Sequence, residues 1–562
     1  MVGSKRRYLF WVAALMSLAM VAAACGGDGE PGESPSETGT ATSPAETTAP
    51  TTEPTATGGD FSMSICEPES LVPQENGETC GSQVLKGLFT PLIQFDQNGE
   101  PFNAVAASIE SDDQTTWTVT LNDGWTFHDG TPVTSSSFVD AWNWAAFAPN
   151  AAGNNYFFAN VVGYDELNPS EGEPSAETLS GLVVVDDLTF TVELTGPFSE
   201  FPITTGYNAF YPLPASFFEE GGRDTFNEAP VGNGPYMMDG SWEHDQFVRV
   251  TKYPDYAGTP GNADNIEFRI YADLDTAYRD VQAGNLDIAD VPDEQISSGR
   301  EEFGDRFIES PSSSFSYLGF PLYVDAFTNA DIRKAFSLAI DRQTIVDELF
   351  FSTRTPADDM VSPVVAGYRS GVCEFCVFDA TQAKELFDGA GGFSGTLHLW
   401  FNSDGGHEGW MEAVSNMLTQ NLGIETIEFQ TLEFADYLGK LDEGIDDDPA
   451  TAGVDGPFRL GWVMDYPSMQ NYLEPLHGTG GSSNYTTYSN PDFDALVATG
   501  KEATSQDEAV ASYQQADDLL LQDMPIIPLW FGLNQSVTSE RVANVFIDKF
   551  SFVDVAAVQV VG

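Results

Sequence analysis

Apolar and polar residues alternate in several short stretches of the chain, and this pattern predicts β-strands. Residues 116–121 read Thr-Trp-Thr-Val-Thr-Leu, with the period of two that is typical of a half-buried strand. Residues 182–185 and 188–194 are two further apolar runs that flank Asp186 and Asp187, and they predict a hairpin. Between the first strand and the hairpin, Thr134 is predicted to cap a helix that runs through Trp142.

Two later segments show the spacing of an amphipathic helix. In residues 331–342 the apolar positions recur at intervals of three and four: Ile332, Ala335, Phe336, Ala339 and Ile340. Near the C-terminus, residues 505–508 form a capping box before a helix that Pro525 stops. Strands and helices mixed in this order indicate α/β or α+β domains.

The N-terminus carries a different pattern, which predicts an export signal. Lys5, Arg6 and Arg7 precede an apolar run over residues 8–24, shorter than a membrane-spanning helix requires, and Cys25 follows it. The small residues before Cys25 indicate a bacterial lipoprotein cleavage site, with Cys25 lipidated. An ordinary secretory signal that leaves Cys25 unmodified stays open as the alternative, and the arginine pair also permits twin-arginine export.

Residues 26–59 contain almost only Gly, Ser, Thr, Pro, Ala, Glu and Asp, with no large apolar side chain. Such a segment buries too little surface to offset the entropy of ordering, so it is predicted to be a disordered tether. The globular body then begins near Phe61 and has ample core material, because 12% of the whole chain is aromatic.

The chain carries 86 acidic and 22 basic residues, a formal charge of -64. This balance argues against a nucleic-acid partner, since such a protein needs a basic face. The acidic residues could attract cationic solutes. Because they are spread along the whole chain, an acidic surface that keeps the protein soluble is the favoured interpretation.

Besides Cys25 the chain has four cysteines, which allow three pairings. In an exported protein, the most economical pairing joins Cys66 to Cys80 and Cys373 to Cys376, because each bond closes a local loop. The Cys373-x-x-Cys376 spacing also occurs in redox and metal sites. No second ligand pair or thioredoxin-like context accompanies it, so a metal is not expected.

Sequence motifs for catalysis or for a cofactor are not evident. The five histidines are far apart, and the zinc-protease, nucleophile-elbow and P-loop patterns do not occur. The sequence therefore predicts neither an enzyme nor a cofactor.

One carboxylate, Asp465, stands inside the apolar and aromatic run of residues 461–467, Gly-Trp-Val-Met-Asp-Tyr-Pro. An ionised carboxylate removed from water is costly unless a cation or several donors meet it. Asp465 therefore either forms a structural salt bridge within the protein or binds a positively charged group of a ligand.

This run and several others resemble, in order and separation, segments of the extracellular solute-binding proteins of peptide ABC transporters (family 5). The segments are Trp117-Thr-Val-Thr-Leu-Asn-Asp-Gly124, Phe127-His-Asp-Gly-Thr-Pro-Val133, Pro230-Val-Gly-Asn-Gly-Pro-Tyr236, Ala283-Gly-Asn-Leu-Asp-Ile288, Ala335 to Arg342, Gly461 to Pro467, and Tyr488-Ser-Asn-Pro-Asp-Phe-Asp494. The resemblance implies an α/β, two-lobed periplasmic-binding-protein-like fold (type II, three-domain) with a hinge.

The resemblance also implies domain boundaries. After the signal peptide (1–24) and the tether (25–59), lobe I would comprise 60–96, 197–312 and the C-terminal return 529–562. An inserted domain would cover 97–196, and lobe II would cover 313–528. The chain would cross between the lobes near residues 311–318 and 526–530.

In the family that the chain resembles, the residue matching Asp465 holds the α-ammonium group of a peptide. The backbone of Gly461, Trp462 and Val463 would then pair with the extended ligand. Arg459 matches a basic residue near the peptide, with pairing to surface acids as the alternative.

By the same resemblance, His407 matches a side-pocket residue. Phe434 matches an aromatic pocket wall, or else is ordinary core. First-lobe contacts are expected near Glu78 and Thr79.

The expected function is a lipid-anchored, extracytoplasmic and monomeric binding protein that captures oligopeptides for an ABC permease. The lipid anchor would be its only membrane contact. Two alternatives stay open at this point: the same fold with a nickel chelate, an oligosaccharide or an opine as ligand, and a surface enzyme or adhesin.

Overall fold

The computed structural model describes residues 58–169, 172–403, 406–446 and 453–561. The predicted signal peptide, Cys25 and all but the last two residues of the predicted tether lie outside these ranges. The strands are β1 Asp60–Ile65, β2 Ile93–Phe95, β3 Pro101–Asn103, β4 Ala106–Glu110, β5 Thr116–Leu121, β6 Leu182–Asp186, β7 Thr189–Glu193, β8 Tyr236–Met238, β9 Phe247–Lys252, β10 Asn265–Ile270, β11 Ile288–Asp290, β12 Phe307–Gly319, β13 Arg354–Pro356, β14 Leu397–Asn402, β15 Ile427–Leu432, β16 Phe458–Trp462, β17 Ile526–Thr538, β18 Val542–Ala543 and β19 Gln559–Val560.

Helices cover the faces of these sheets, and short 3-10 turns connect many of them. The helices are α1 Thr79–Leu88, α2 Ser135–Ala146, α3 Tyr164–Leu167, α4 Phe201–Thr204, α5 Gly222–Glu228, α6 Leu274–Ala283, α7 Ile296–Phe303, α8 Ala330–Ala339, α9 Arg342–Leu349, α10 Ala380–Gly389, α11 Glu408–Leu422, α12 Phe434–Asp446, α13 Gln470–His477, α14 Pro491–Lys501 and α15 Gln506–Asp523.

Two strands of thirteen residues, β12 and β17, run antiparallel through the centre of the largest sheet. The order of that sheet is β15-β14-β16-β12-β17-β11-β1-β10-β9-β8, with β13 paired to β17. Residues 307–311 of β12 pair with the part of β17 that continues toward β11. Residues 315–319 of β12 pair with β16 as well as with β17. The molecule is a two-lobed periplasmic-binding-protein-like fold, as the sequence predicts.

The pairing of β12 with β17 is interrupted at the crossing between the two strand groups. The register is regular up to Pro311 and resumes at Phe315. At this point Gly532 of β17 lies so close to β12 that a side-chain Cβ would collide with the hydroxyl of Ser314. A second register shift follows between Ser316 and Tyr317, so both irregularities fall within the crossing predicted near residues 311–318.

A separate antiparallel sheet, of order β4-β5-β7-β6, lies within the predicted inserted domain. The alternating residues 116–121 form β5, and the apolar runs around Asp186 and Asp187 form the β6–β7 hairpin, so both sequence predictions are confirmed. The boundaries of the three domains stay a prediction. The apolar cores agree with two lobes: one core uses residues 61–288 and 542–558, and two others use residues 315–531 together with Phe550.

The helix predicted over residues 331–342 is shorter in the structure and is followed by a second helix. α8 ends at Ala339, and Asp341 caps α9 by accepting a hydrogen bond from the Thr344 N–H. Arg342 is 2% exposed and donates to the backbone carbonyls of Ser337, Cys376 and Pro528. This buried guanidinium ends one helix and ties the turn to β17, which the apolar spacing alone does not reveal.

Both predicted disulfides are present. Cys66 and Cys80 have Cα atoms 5.5 Å apart, and the bond fixes the first turn of α1 to the end of β1. Cys373 and Cys376 have Cα atoms 5.3 Å apart and close a three-residue step before α10.

The two lobes touch through hydrogen bonds between residues 199–200 and residues 501–513. The Ser199 N–H donates to the Lys501 carbonyl at 2.9 Å, and the Tyr513 hydroxyl lies 2.8 Å from Glu200 Oε2. The described conformation therefore brings the lobes together around the space between them. Among the described residues, no helix combines the length and hydrophobicity that a bilayer crossing needs.

Candidate functional site

Asp465 lies in the short connection between β16 and α13, where the second lobe faces the first. β16 is held in the main sheet by β12, because Phe315 pairs with Trp462 and Ser316 with Gly461. The chain leaves the strand at Trp462, so Val463 and Asp465 reach the space between the lobes instead of the sheet.

Asn471 of α13 fixes the orientation of Asp465. Its amide nitrogen donates to Asp465 Oδ2 at 2.9 Å, and its amide oxygen accepts from the Asp465 N–H at 2.9 Å. The same oxygen accepts from Trp462 Nε1 at 3.1 Å. Asn471 is 1% exposed, so this buried amide holds the backbone, the carboxylate and the neighbouring indole in one arrangement.

The carboxylate of Asp465 borders a cavity of about 120 Å³ between the lobes. The first lobe contributes Glu78, Thr79 and Lys86 of the α1 region and Tyr207, and the C-terminal segment contributes Phe550. Glu78 and Thr79 were the first-lobe positions expected from the sequence.

The environment of Asp465 disfavours its negative charge. Burial raises the pKa of Asp465 from 3.8 to about 7, and the hydrogen bond from Asn471 lowers that value only in part. Among the described residues, Asn471 is the side chain that donates to this carboxylate, and no described cation pairs with it. Such a carboxylate has acceptor capacity for a cationic group that enters the cavity.

Tyr207 faces the same cavity from the first lobe. Burial and the negative charge of Asp465 hold the pKa of Tyr207 well above its usual range. Its ring centroid lies 4.6 Å from that of Phe157, which in turn lies 4.5 Å from Tyr156. Tyr207 therefore presents an aromatic ring to the cavity, backed by two further rings, and an aromatic face suits an ammonium group.

The other predicted ligand contacts in residues 461–467 differ in whether they line the cavity. Val463 lines it and is 39% exposed. Gly461 and Trp462 lie in β16, where their backbones pair with β12 and an added Cβ at Gly461 would lie 3.1 Å from the Phe315 carbonyl. One edge of this strand is therefore already used by the protein. The role of these residues toward a ligand stays a prediction.

Arg459, His407 and Phe434 do not line the Asp465 cavity. Arg459 Nη1 donates to Asn402 Oδ1 at 3.1 Å, at the end of β14. His407 precedes α11 and accepts from Trp410 Nε1 at 3.2 Å through Nδ1. Phe434 opens α12 and is 42% exposed. These three roles also stay predictions.

Asn471 and Tyr207 were not identified from the sequence. Asn471 follows Asp465 by six residues, and the sequence offers one weak indication of its role, an amide shortly after an acid in an apolar run. Tyr207 is distant in the chain and reaches the site only because the lobes meet.

Crossing strands join the two lobes, and the cavity between them has a carboxylate on one lobe and aromatic rings on the other. This arrangement is typical of a solute-binding protein. The family model of the bacterial extracellular solute-binding proteins, family 5, matches residues 100–484. The chain belongs to this family, whose members are transport binding proteins and not enzymes.

Known relatives agree with this assignment over most of their length. The chain is 26% identical over 498 residues to the oligopeptide-binding protein OppA of Bacillus subtilis, covering 86% of this chain and 89% of that one. It is 26% identical over 475 residues to the periplasmic murein peptide-binding protein MppA of Escherichia coli, covering 83% and 86%. The solved structure of the Escherichia coli murein tripeptide binding protein has a TM-score of 0.76 at 22% identity and covers 90% of this chain and 99% of that one.

Proposed function

We propose that this protein captures oligopeptides outside the cytoplasm by their free α-ammonium group and delivers them to the permease of an ABC importer. The observation that carries the proposal is Asp465, a half-buried carboxylate at the inter-lobe cavity that receives one side-chain hydrogen bond from the described protein. An ammonium group has the charge and the donors that this carboxylate lacks. Names of relatives that bind oligopeptides and murein peptides support the same ligand class.

The proposed mechanism is capture by lobe closure. Bending at residues 312–314 would open the cavity, and the ligand would then be enclosed when contacts such as Ser199 with Lys501 re-form. Enclosure removes water from the ammonium and the Asp465 carboxylate, which strengthens their hydrogen bond. Water molecules would fill unused space around the ligand side chains.

Calorimetric titration of the wild type and of Asp465→Asn tests the ligand assignment. A tripeptide with a free amine is expected to bind the wild type at least about 30-fold more tightly than the variant, because the variant keeps the shape but loses the charge. N-acetylation of the peptide should weaken binding to the wild type by a similar factor. Asp388→Asn, which removes a carboxylate that is 60% exposed on α10, is the matched control and should bind like the wild type.

Equal affinity of wild type and Asp465→Asn for the free-amine peptide would refute the assignment. Native mass spectrometry of the purified protein gives a second readout. A retained nickel chelate, oligosaccharide or opine instead of a peptide would replace the peptide proposal with a different ligand in the same fold.

We also propose that Cys25 carries a lipid and tethers a monomeric protein to the outer face of the cell membrane. The small residues before Cys25 and the polar segment after it support this proposal. Cys25→Ser should move the protein from the membrane fraction to the medium without a change in peptide affinity. A variant that stays in the membrane fraction would contradict the lipid anchor.

A further inference from the structure

The Asp465 cavity adjoins a much larger cleft in the first lobe. That cleft has a volume of about 820 Å³, and it shares five lining residues with the cavity: Lys86, Phe95, Gly206, Tyr211 and Phe550. Because the two spaces share these lining residues, they lie next to each other. Volumes of this size are typical of small-molecule and peptide sites.

Most of the carboxylates that line the cavity and the cleft already accept hydrogen bonds from backbone N–H groups. Glu78 accepts from the N–H of Cys80 and Gly81, where it caps α1. The other satisfied acids follow the same pattern in turns: Asp96 accepts from Asn98 and Glu100, Asp548 from Phe550 and Phe552, and Asp554 from Ala557. Asp123 lies exposed in the wall of the cleft. Asp465 is therefore the acid that is positioned for a ligand cation.

Lys86 is the cation among the described residues that line the Asp465 cavity. Its ammonium lies 2.6 Å from Asp548 Oδ2, and 5.0 and 4.4 Å from the ring centroids of Phe550 and Phe552. An ammonium group has three N–H donors, and one described carboxylate takes one of them. The two rings and Asp548 hold the ammonium at the border of the cavity.

Lys549 lines only the larger cleft and is less well placed. Its ammonium donates to the Val364 carbonyl at 3.3 Å, on the side of the second lobe. Lys86 is the one of the two that borders both spaces.

We propose, as an extension of the peptide-binding function above, that Lys86 binds a carboxylate of the ligand, so that the preferred ligand carries an ammonium at Asp465 and a carboxylate close to it. A cavity of about 120 Å³ is roughly 6 Å across, which is the span of about two extended residues. The carboxylate therefore belongs to the first two or three residues of the ligand. It is either the C-terminus of a very short peptide or an acidic side chain of a longer peptide whose remainder occupies the cleft.

Two pairs of peptides distinguish these sources of the carboxylate. Ala-Ala-Ala and its C-terminal amide test the chain terminus, and Ala-Glu-Ala-Ala amide and Ala-Gln-Ala-Ala amide test an acidic side chain. Calorimetry with the full chain is expected to show about a ten-fold preference for the carboxylate member of at least one pair. In Lys86→Met, which keeps the alkyl chain over the phenylalanine rings, the preference should fall below two-fold.

Lys384→Met is the matched control, because it removes the same charge from an ammonium that is paired with Asp388 on the surface of α10. It should keep the wild-type preference. A Lys86→Met variant with an unchanged ratio, or a wild type without preference in either pair, would overturn the inference.

A second variant keeps the test decisive if Lys86→Met does not fold. Asp548→Asn retains the oxygen that accepts from Phe550 and Phe552 but removes the negative charge beside Lys86. It should bind the carboxylate peptides at least about three-fold more tightly than the wild type. Unchanged or weaker affinity would count against the proposal.

The outcome also separates this inference from the proposed function. Peptides that lose affinity on N-acetylation but show no carboxylate preference would leave peptide capture at Asp465 intact and refute the role of Lys86 alone. If no peptide binds, both proposals fail together.

Discussion

The pKa of Asp465 makes a quantitative prediction about peptide affinity. Binding of an α-ammonium group requires the ionised carboxylate, whose pKa in the empty site is raised by burial to about 7. It also requires the protonated amine, whose pKa is about 7.8. Affinity should follow the product of two fractions, ionised Asp465 and protonated amine. It should therefore be about 50-fold weaker at pH 5 than at pH 7.4, and about six-fold weaker at pH 6.

The assay is calorimetric titration of a free-amine tripeptide at pH 5, 6 and 7.4 and constant ionic strength. The wild type and the control Asp388→Asn should follow the same profile, whereas Asp465→Asn should bind weakly and with little dependence on pH. Wild-type affinity that changes less than two-fold between pH 5 and 7.4 would refute the reasoning, because the carboxylate would then be ionised throughout or not involved.

The same shift predicts that Asp465 lowers the stability of the empty protein. The folded pKa of about 7 lies above the unfolded value near 3.8, so the folded state binds the proton more tightly, and stability falls as pH rises from about 4 to about 7. At pH 7.4 the difference corresponds to at most about 4 kcal/mol, less to the extent that the cavity admits water. Asp465→Asn should therefore raise the unfolding midpoint in urea at pH 7.4, although it is expected to weaken ligand binding. A lower midpoint would show that the carboxylate is structural.

Three further predictions concern the scaffold. Arg342→Met removes the guanidinium that donates to the carbonyls of Ser337, Cys376 and Pro528 and should lower the free energy of unfolding by about 3 kcal/mol, measured by urea denaturation; a loss below 1 kcal/mol would contradict this account. Burial and the neighbouring Asp517 hold the pKa of Asp359 well above its usual range, so wild-type stability should decline from pH 5 to pH 8, and Asp359→Asn should reduce that slope in the same assay. Cys66→Ser opens a loop with a sequence separation of 14 and should cost about 3 kcal/mol, with an unchanged thermal midpoint as the contrary result.

Much of the fold follows from local patterns in the sequence. The alternation in residues 116–121 and the capping box at Ser505 specify a strand and a helix that the structure contains, since Ser505 Oγ accepts from the Glu508 N–H and α15 ends at Asp523. These features depend on neighbours in the chain. The disulfide pairings were also predictable, because a short loop is the cheapest to close.

Features that depend on distant residues were not predictable in this way. The end of α8 is set by Arg342, whose acceptors include the Pro528 carbonyl far along the chain. Residues 125–127 alternate in polarity as a short strand would, yet they form only an isolated bridge between Thr126 and Pro132. At the candidate site, the sequence identified Asp465 as a carboxylate in costly surroundings. That Tyr207 and Lys86 border the same cavity follows only from the contact of the two lobes.

The amide of Asn471 gives the protein a built-in optical reporter. This single side chain joins the indole of Trp462 to the carboxylate of Asp465, so a charge that appears or is neutralised at Asp465 changes the electric field at an indole two hydrogen bonds away. Emission from this tryptophan should therefore respond to ligand arrival without any attached dye. Subtracting the signal of Trp462→Phe would isolate it from the other nine tryptophans of the chain.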